Sequence, residues 1–477
     1  MANTESVEYM LTKNQIITAE ITDITSEGSG VCRADGFAVF VPDTAVGDVA
    51  EVRIVKVLKS YAYGIIEKLI TPSSDRVTPE CPHYKKCGGC VFMHISYEAE
   101  CRIKSQIVSD AFTRIGHLAP AETLPIFGAE ETEGYRNKAQ YPYADYKYQD
   151  GKVFPEFGFY APRSHRLVPV TYCDLQPFVF GDILRLCREE LGSGELPCIT
   201  PYNEENGSGV LRHIYIRQGF HSKEIMVCFI TAKDSSQIRT ALTTLGNTVI
   251  RNFPDVRSVM LNVNPLKTNV ILGDKTVCLL GNPVIADTLC GVPVTLSPQS
   301  FYQVNTAQAE RLFAEAKRLA APKKDELLLD LYCGAGAIGL SMADSVDRVI
   351  GVEVVPQAIE DAKANAERAG IKNAEFYAGD AGEIAARFAA EGKAPDIIVL
   401  DPPRKGCDEL TLKACVDMSP SRIVMISCNP STAARDAAYL CGRGFALDVL
   451  RPADFFPRTR HVECVVLMSK FSKDERN

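Results

Sequence analysis

Five short, mostly apolar runs recur in the last third of the chain, at residues 327–332, 348–353, 374–378, 396–400 and 422–428, with helical stretches between them. Runs this short, apolar at nearly every position, suit strands buried on both faces, the environment of a parallel sheet covered by helices. Strict β–α alternation then predicts a doubly wound α/β sheet, since parallel neighbours need a crossover and crossovers pack back with one hand. The clearest helix is 356–369, with Pro356 in its first turn and Gly370 just past its end.

At 477 residues the chain is too long for one compact core. Residues from about 11 to 70 alternate apolar and polar in short segments broken by Ser-Glu-Gly-Ser-Gly, Asp-Gly, Pro-Asp and Gly-Asp. That pattern predicts a small antiparallel barrel of the five-stranded OB type. Strand pattern alone leaves a barrel with some other use equally open. A cysteine-rich segment, Cys81 to Cys90, and an amphipathic helix over 97–115 follow. Segments 135–143, 153–160, 210–219, 224–231, 258–264 and 277–280 then read as strands of a sheet-rich middle region with few helices.

Apolar and charged contents of 46% and 23% are those of an ordinary globular protein. The longest apolar runs stop at about six residues, far short of the ~20 of a membrane helix. The N-terminal MANTESVEYM lacks a basic region followed by an apolar core, so no signal peptide is expected and the cytoplasm is the predicted location. A net charge of −8 gives no global support for a nucleic-acid partner, although a local positive groove is compatible with it. Most of the 17 cysteines sit in apolar runs and read as buried free thiols.

The first parallel strand runs into Cys333-Gly334-Ala335-Gly336-Ala337-Ile338-Gly339, where glycines permit a tight bend and close approach of a ligand. Glu353 ends the second strand, placed to accept hydrogen bonds from ribose hydroxyls. NAD and S-adenosylmethionine fit these two features equally. The fourth strand ends in Asp401-Pro402-Pro403-Arg404, a rigid exit with no evident use in hydride transfer but common among enzymes that methylate planar bases. The fifth delivers Cys428 to the crevice, where the start of a helix is expected to lower its pKa. Glu463 opens a later strand in apolar surroundings, as a general base would. A thiol and a carboxylate are the minimum for alkylating carbon 5 of uracil, because that carbon becomes nucleophilic only after addition at carbon 6 and must afterwards lose its proton.

Taken in order, Ser297-Pro298-Gln299-Ser300-Phe301-Tyr302-Gln303-Val304-Asn305, the 330–336 turn, Asp401-Pro402-Pro403-Arg404, Ser427-Cys428-Asn429-Pro430 and His461-Val462-Glu463 resemble the RNA uracil-5 methyltransferases over nearly the whole chain. The resemblance implies a Rossmann-like S-adenosylmethionine domain at 100–132 and 296–477. It implies an OB-like TRAM barrel that binds RNA at 8–70, and a central domain at 71–99 and 133–295. It implies Gln303, Tyr332, Glu353, Asp380 and Asp401 as cofactor-binding residues, Cys428 as nucleophile and Glu463 as base. A TRAM barrel is carried by the branch acting on ribosomal RNA, so 23S rRNA is the expected partner, with a monomer and no membrane involved. Arg136-Asn137-Lys138 matches a family segment and is an expected RNA contact, with solvated surface charge the rival reading.

Cys81-x5-Cys87-Gly88-Gly89-Cys90 differs in spacing from the paired hooks of common zinc modules. In the ribosomal-RNA branch such a loop and one distant cysteine, here Cys173, hold a structural [4Fe–4S] cluster. Four thiolates suit iron–sulfur and zinc alike, so the metal rests on the resemblance. Four rivals stand beside this reading: tRNA as the substrate, a cytosine-5 enzyme with a similar adduct, a non-catalytic RNA-binding assembly factor and, last, a nicotinamide oxidoreductase.

Overall fold

The structure, a computed structural model, describes residues 11–34 and 36–471. The N-terminal stretch read for a leader, residues 8–10 of the expected barrel and residues 472–477 lie outside the described residues.

The N-terminal unit holds β1 (Ile16–Glu20), β2 (Asp23–Ile24), β3 (Gly30–Ala34), β4 (Phe37–Val41), β5 (Val49–Val57) and β6 (Tyr61–Thr71), in the order β1-β5-β6-β4-β3-β2. The sixth strand beyond the OB-type five is the two-residue β2. Period-two alternation turns Val39, Val41, Val52, Ile54 and Ala62 inward, and all five are fully buried. Gly30 has no alternative, because a Cβ there would fall 2.0 Å from Thr44 Oγ1.

Helix α1 (Tyr97–Asp110) starts at Ser96, whose hydroxyl accepts the Ala99 N–H, and runs on through a π-helical turn at Ala111–Ile115. The chain then adds β7 (Glu122–Thr123) to the edge of the C-terminal sheet before entering the central one. That central sheet is β8 (Lys138–Lys147), β9 (Val153–Tyr160), β10 (Leu167–Pro169), β11 (Leu211–Gln218), β12 (Ile225–Thr231), β13 (Val256–Val263) and β14 (Lys275–Gly281), ordered β10-β9-β8-β11-β12-β13-β14. Helices α2 (Phe178–Gly192) and α3 (Ser236–Asn252) cover one face through Phe180, Ile183, Leu242 and Leu245. The other face turns Tyr215, Met226 and Cys228 into a core shared with α4 (Thr306–Ala320) and the C-terminal sheet. Burial from both sides explains why β12 is apolar throughout instead of alternating.

After the hairpin β15 (Ile285–Leu289) and β16 (Val292–Leu296), and then α4, the alternating part begins. It comprises β17 (Leu327–Leu331), α5 (Ala337–Met342), β18 (Arg348–Glu353), α6 (Pro356–Arg368), β19 (Ala374–Ala378) and α7 (Ala381–Ala390). It continues with β20 (Ile397–Leu400), α8 (Glu409–Met418), β21 (Arg422–Ser427), α9 (Pro430–Cys441), β22 (Phe445–Ala453) and β23 (Glu463–Lys470). The sheet order is β19-β18-β17-β20-β21-β23-β22-β7. The chain leaves β17 toward β18 and β19, then returns to build the other half from β20. The carboxyl ends of β17 and β20 therefore form the topological switch point where α/β sheets bind ligands.

Candidate functional site

The crevice at the switch point is built by the bend after β17. Tyr332 adopts a left-handed φ of 67°, unusual for an aromatic residue, and Gly334 and Gly336 follow at 53° and 83°. Gly339, inside α5, donates its N–H to Asp330 Oδ2 at 2.8 Å, and a Cβ there would lie 2.9 Å from that oxygen. The third glycine thus serves close helix–strand packing. Burial pushes the Asp330 carboxyl up to about 7.

Gln303, Tyr332 and Asp401 line one crevice together with Phe301, Asp361 and Asn365. Glu353 stands at its rim, where its two oxygens accept N–H bonds from Gly334 at 3.2 Å and Val355 at 2.9 Å. Asp380 is not among the lining residues. It is exposed and caps α7, with Oδ1 accepting the N–H groups of Gly382 and Glu383. Asn365 and Asn137 carried no legible signal for this site. Asn365 holds the glycine bend through Ala335 O, at 3.0 Å. Asn137, expected at an RNA contact, is buried instead and donates to Gln303 O at 2.8 Å and Thr306 Oγ1 at 2.9 Å. It is a strut for the loop that carries Gln303. Buried Arg217 supports the same loop through the carbonyls of Ser297 and Ser300.

Cys428 and Glu463 meet across the neighbouring strands. β21 and β23 pair antiparallel, and their last registered pair is Ser427 opposite Cys464. Cys428 follows β21 directly and Glu463 opens β23, which brings the Glu463 carboxyl close enough to act on the Cys428 thiol. Burial, the nearby Asp401 carboxyl and Asp454, in that order, push Glu463 up to about 8. Asp401 itself rises to about 7 through burial. The expectation that a helix start lowers the Cys428 pKa is corrected by the structure. The thiol is raised, first by burial and then by Glu463 and Asp401, while only the Arg404 guanidinium and a backbone hydrogen bond pull it down. Arg404 is fixed by donating from Nη2 to His461 Nδ1 at 2.9 Å. His461 can accept because burial, followed by Arg404 and Arg460, lowers it to about 4 and keeps it neutral.

The hairpin that carries Glu463 is pinned from below. Buried Lys104 of α1 donates to Glu100 Oε1 and Asp454 Oδ1, each at 2.7 Å, and to Phe456 O at 3.1 Å. Tyr97 adds a bond to Asp454 Oδ2 at 2.9 Å, and Tyr135 one to Pro457 O at 2.9 Å. From the cysteine loop, the Val91 N–H donates to Arg458 O at 2.9 Å. In the sequence, Glu100 and Lys104 look like any exposed i,i+4 pair. Removing the cation strips two buried carboxylates of their shared partner and leaves Glu100 only the more distant Arg458 guanidinium, at 3.6 Å, so Lys104→Ala should cost about 3–5 kcal/mol in urea unfolding. An effect below 1 kcal/mol would place the pair in solvent.

Cys81, Cys87, Cys90 and Cys173 line a single cavity of about 870 Å³, with Arg136 and Lys138 on its wall. All four thiols are raised, chiefly by burial, and the Cys90 thiol also feels the other three. Gly88 permits the wrap with a φ of 70°, and a Cβ there would strike Pro162 at 2.2 Å. Among the described residues, no group of three or more His, Cys, Asp or Glu is gathered in a way that could hold a metal ion.

The TRAM domain family matches residues 11–66, and the tRNA (Uracil-5-)-methyltransferase family matches residues 294–471. A Halalkalibacterium halodurans protein described as an uncharacterized RNA methyltransferase is 40% identical over 459 residues, 96% of this chain and 97% of that one. The chain belongs to the RNA uracil-5 methyltransferase family. Within that family, a Bacillus cereus RNA methyltransferase is 39% identical, covering 97% of this chain and 98% of its own. Among solved structures, the Pyrococcus abyssi tRNA (uracil-54, C5)-methyltransferase in complex with S-adenosyl-L-homocysteine is similar with a TM-score of 0.73. It is 26% identical, and the match covers 94% of this chain and 99% of that one.

Proposed function

We propose that this methyltransferase methylates carbon 5 of a uridine in 23S ribosomal RNA, with Cys428 as nucleophile and Glu463 as base. The observation that carries the reading is the closeness of Cys428, at the end of β21, to Glu463, at the start of the paired β23, and to Asp401. The Cys428 thiolate adds to carbon 6 and the ring electrons move to make carbon 5 nucleophilic. Gln303, Tyr332, Glu353 and Asp401 would hold S-adenosylmethionine, with Asp380 the weaker candidate, and the donor would supply an electrophilic methyl for carbon 5, its sulfonium becoming a neutral thioether. Glu463 then takes the carbon 5 proton, and the released pair restores the double bond as the Cys428 sulfur departs. The bound product in the Pyrococcus abyssi relative supports this choice of donor. Reaching Cys428 requires the base to leave its stack, at a cost of a few kcal/mol, which favours an unpaired loop as the target.

Ribosomal RNA is favoured by the combination of a barrel and four cysteines that line one cavity, the pattern of the ribosomal-RNA branch that the chain resembles. The matched family and the Pyrococcus abyssi relative are both named for tRNA, and that keeps tRNA as the second reading. Labelled donor offered with unmodified ribosomal RNA and unmodified tRNA, followed by mapping, separates the two. Labelling of tRNA alone overturns the ribosomal assignment, and labelling of neither leaves a non-catalytic RNA-binding factor. No helix among the described residues is long and apolar enough to cross a membrane.

Cys81, Cys87, Cys90 and Cys173 would hold a structural [4Fe–4S] cluster. The four cysteines line one cavity, although among the described residues no three of them are placed to hold a metal ion, so the choice of iron–sulfur over zinc rests on the resemblance. The cluster would supply a fixed tie between the cysteine loop and the central sheet, and no redox step is needed. Protein purified without oxygen should be brown and contain iron and sulfide in equal amounts. Colourless protein lacking both would end the assignment.

A further inference from the structure

We propose that the outer face of the N-terminal barrel, formed by Phe40, Tyr61 and Tyr63, is a stacking platform for unpaired bases of an RNA strand. This rests on RNA being the substrate and names the surface that would hold it away from the crevice. The parallel register of β4 and β6 sets Ala38 beside Tyr61 and Phe40 beside Tyr63. The three rings touch one another with centroids 5.5, 6.0 and 5.6 Å apart, two of the contacts edge-on.

None of these rings serves the barrel core. Val39, Val41 and Ala62 alternate inward and fill it, while Phe40 and Tyr61 remain half-exposed and Tyr63 is 41% exposed. A single exposed aromatic residue needs no explanation, but three in contact on one sheet face do. The flanking strands carry cations on the same side. Lys56 of β5 lies opposite Tyr63, and Arg33 of β3 lies opposite Ala38. Both are exposed, and the ion pairs that β5 and the barrel's edge loops make, Arg53 with Glu67 and Arg76 with Asp48, lie elsewhere.

Aromatic faces flanked by exposed cations are the chemistry that binds single-stranded nucleic acid, with π faces for bases and charges for phosphates. A duplex keeps its bases stacked internally and cannot use the rings. Arg460 of the hairpin that carries Glu463 pairs with Glu27 of the barrel, an exposed contact between the two units.

Fluorescence titration of the full-length protein with a short labelled oligouridine, and with a duplex of equal length, tests the proposal. Tyr63→Leu keeps apolar area against Phe40 but removes a planar face, and should weaken oligouridine binding about tenfold. Duplex binding should change little, and the unfolding temperature should stay near that of the wild type. Lys56→Glu and Arg33→Glu, both at exposed positions, should each lower the salt slope of binding by about 0.7. Equal affinity of wild type and Tyr63→Leu, with unchanged salt slopes in the charge variants, would overturn this inference alone. Failure of the wild type to bind either RNA would sink the proposed function and the platform with it.

Discussion

Cys428→Ala should lose methylation by at least about 10⁴-fold and should form no covalent complex with RNA containing 5-fluorouridine. The wild type should form one that survives denaturing gels. Without addition at carbon 6, carbon 5 stays part of a conjugated ring and does not attack a methyl group at a useful rate. Fluorine sharpens the test, since Glu463 can accept a proton from carbon 5 but cannot accept fluorine as a cation. The adduct therefore has no exit in the wild type. Methylation of a ring nitrogen needs no adduct, so full activity in Cys428→Ala would exclude carbon 5 as the target. A complex that still forms in the mutant would assign the nucleophile to another of the chain's cysteines. Cys464 is the nearest neighbour along the ladder, but it is fully buried.

The raised Cys428 thiol bears on how that adduct begins. In the chain alone, burial and two neighbouring carboxyls disfavour the thiolate. Those carboxyls sit at about 7 and about 8, so each is substantially protonated near neutral pH and its repulsion is weakened. Arg404, steadied by His461, is the fixed positive charge on the other side. The site is therefore poised: a cationic donor in the crevice would draw the carboxyls and the thiol toward ionisation together.

The alternating half of the fold was legible because β17, β18, β20 and β21 are largely buried on both faces and its helices carry local stop signals, although the edge strand β19 has no buried residue. The helix expected at 356–369 is Pro356–Arg368 with Gly370 in the left-handed region, and all five parallel strands fall on the apolar runs. Cys428 and Glu463 were legible because each sits at a strand end beside proline or histidine markers. Their closeness was not, because it depends on β23 inserting antiparallel between β21 and β22. Helices α2 and α3 were poorly resolved from the strands around them, since their apolar faces use the same residue types as the sheet they cover. The supports of the site were the least legible. Asn137, Arg217 and Lys104 are polar residues that sequence alone assigns to a surface, and tertiary pairing takes each of them into the interior. The thiol shift was misjudged for the same reason, because a helix start is local, whereas the burial that chiefly overrules it, and the carboxyls that add to it, come from the tertiary fold.

Glu463→Gln should stall the enzyme one step later, with the methyl group already transferred. Glutamine keeps the shape but cannot take a proton, so carbon 5 retains both hydrogen and methyl and the carbon–sulfur bond has no pair to expel it. Natural RNA should then accumulate as a covalent complex that carries label from the donor, without any need for fluorine. Product release at the wild-type rate, or a complex lacking label, would remove Glu463 from the role of base. In the wild type, a base at about 8 is largely protonated at pH 6, so turnover limited by this step should climb from pH 6 to about 8. Decay of the Gln complex should be flat over that range. Stability supplies the control with the opposite sign. A carboxyl raised from the ordinary 4.5 to about 8 binds its proton more tightly in the folded chain. Its stabilising contribution is therefore complete below pH 4.5 and is lost as pH rises through 8. Glu463→Gln escapes that loss, so its unfolding temperature should match the wild type at low pH and exceed it increasingly up to pH 8. A variant more stable than its parent at alkaline pH, yet locked to its RNA, can have failed only at the proton.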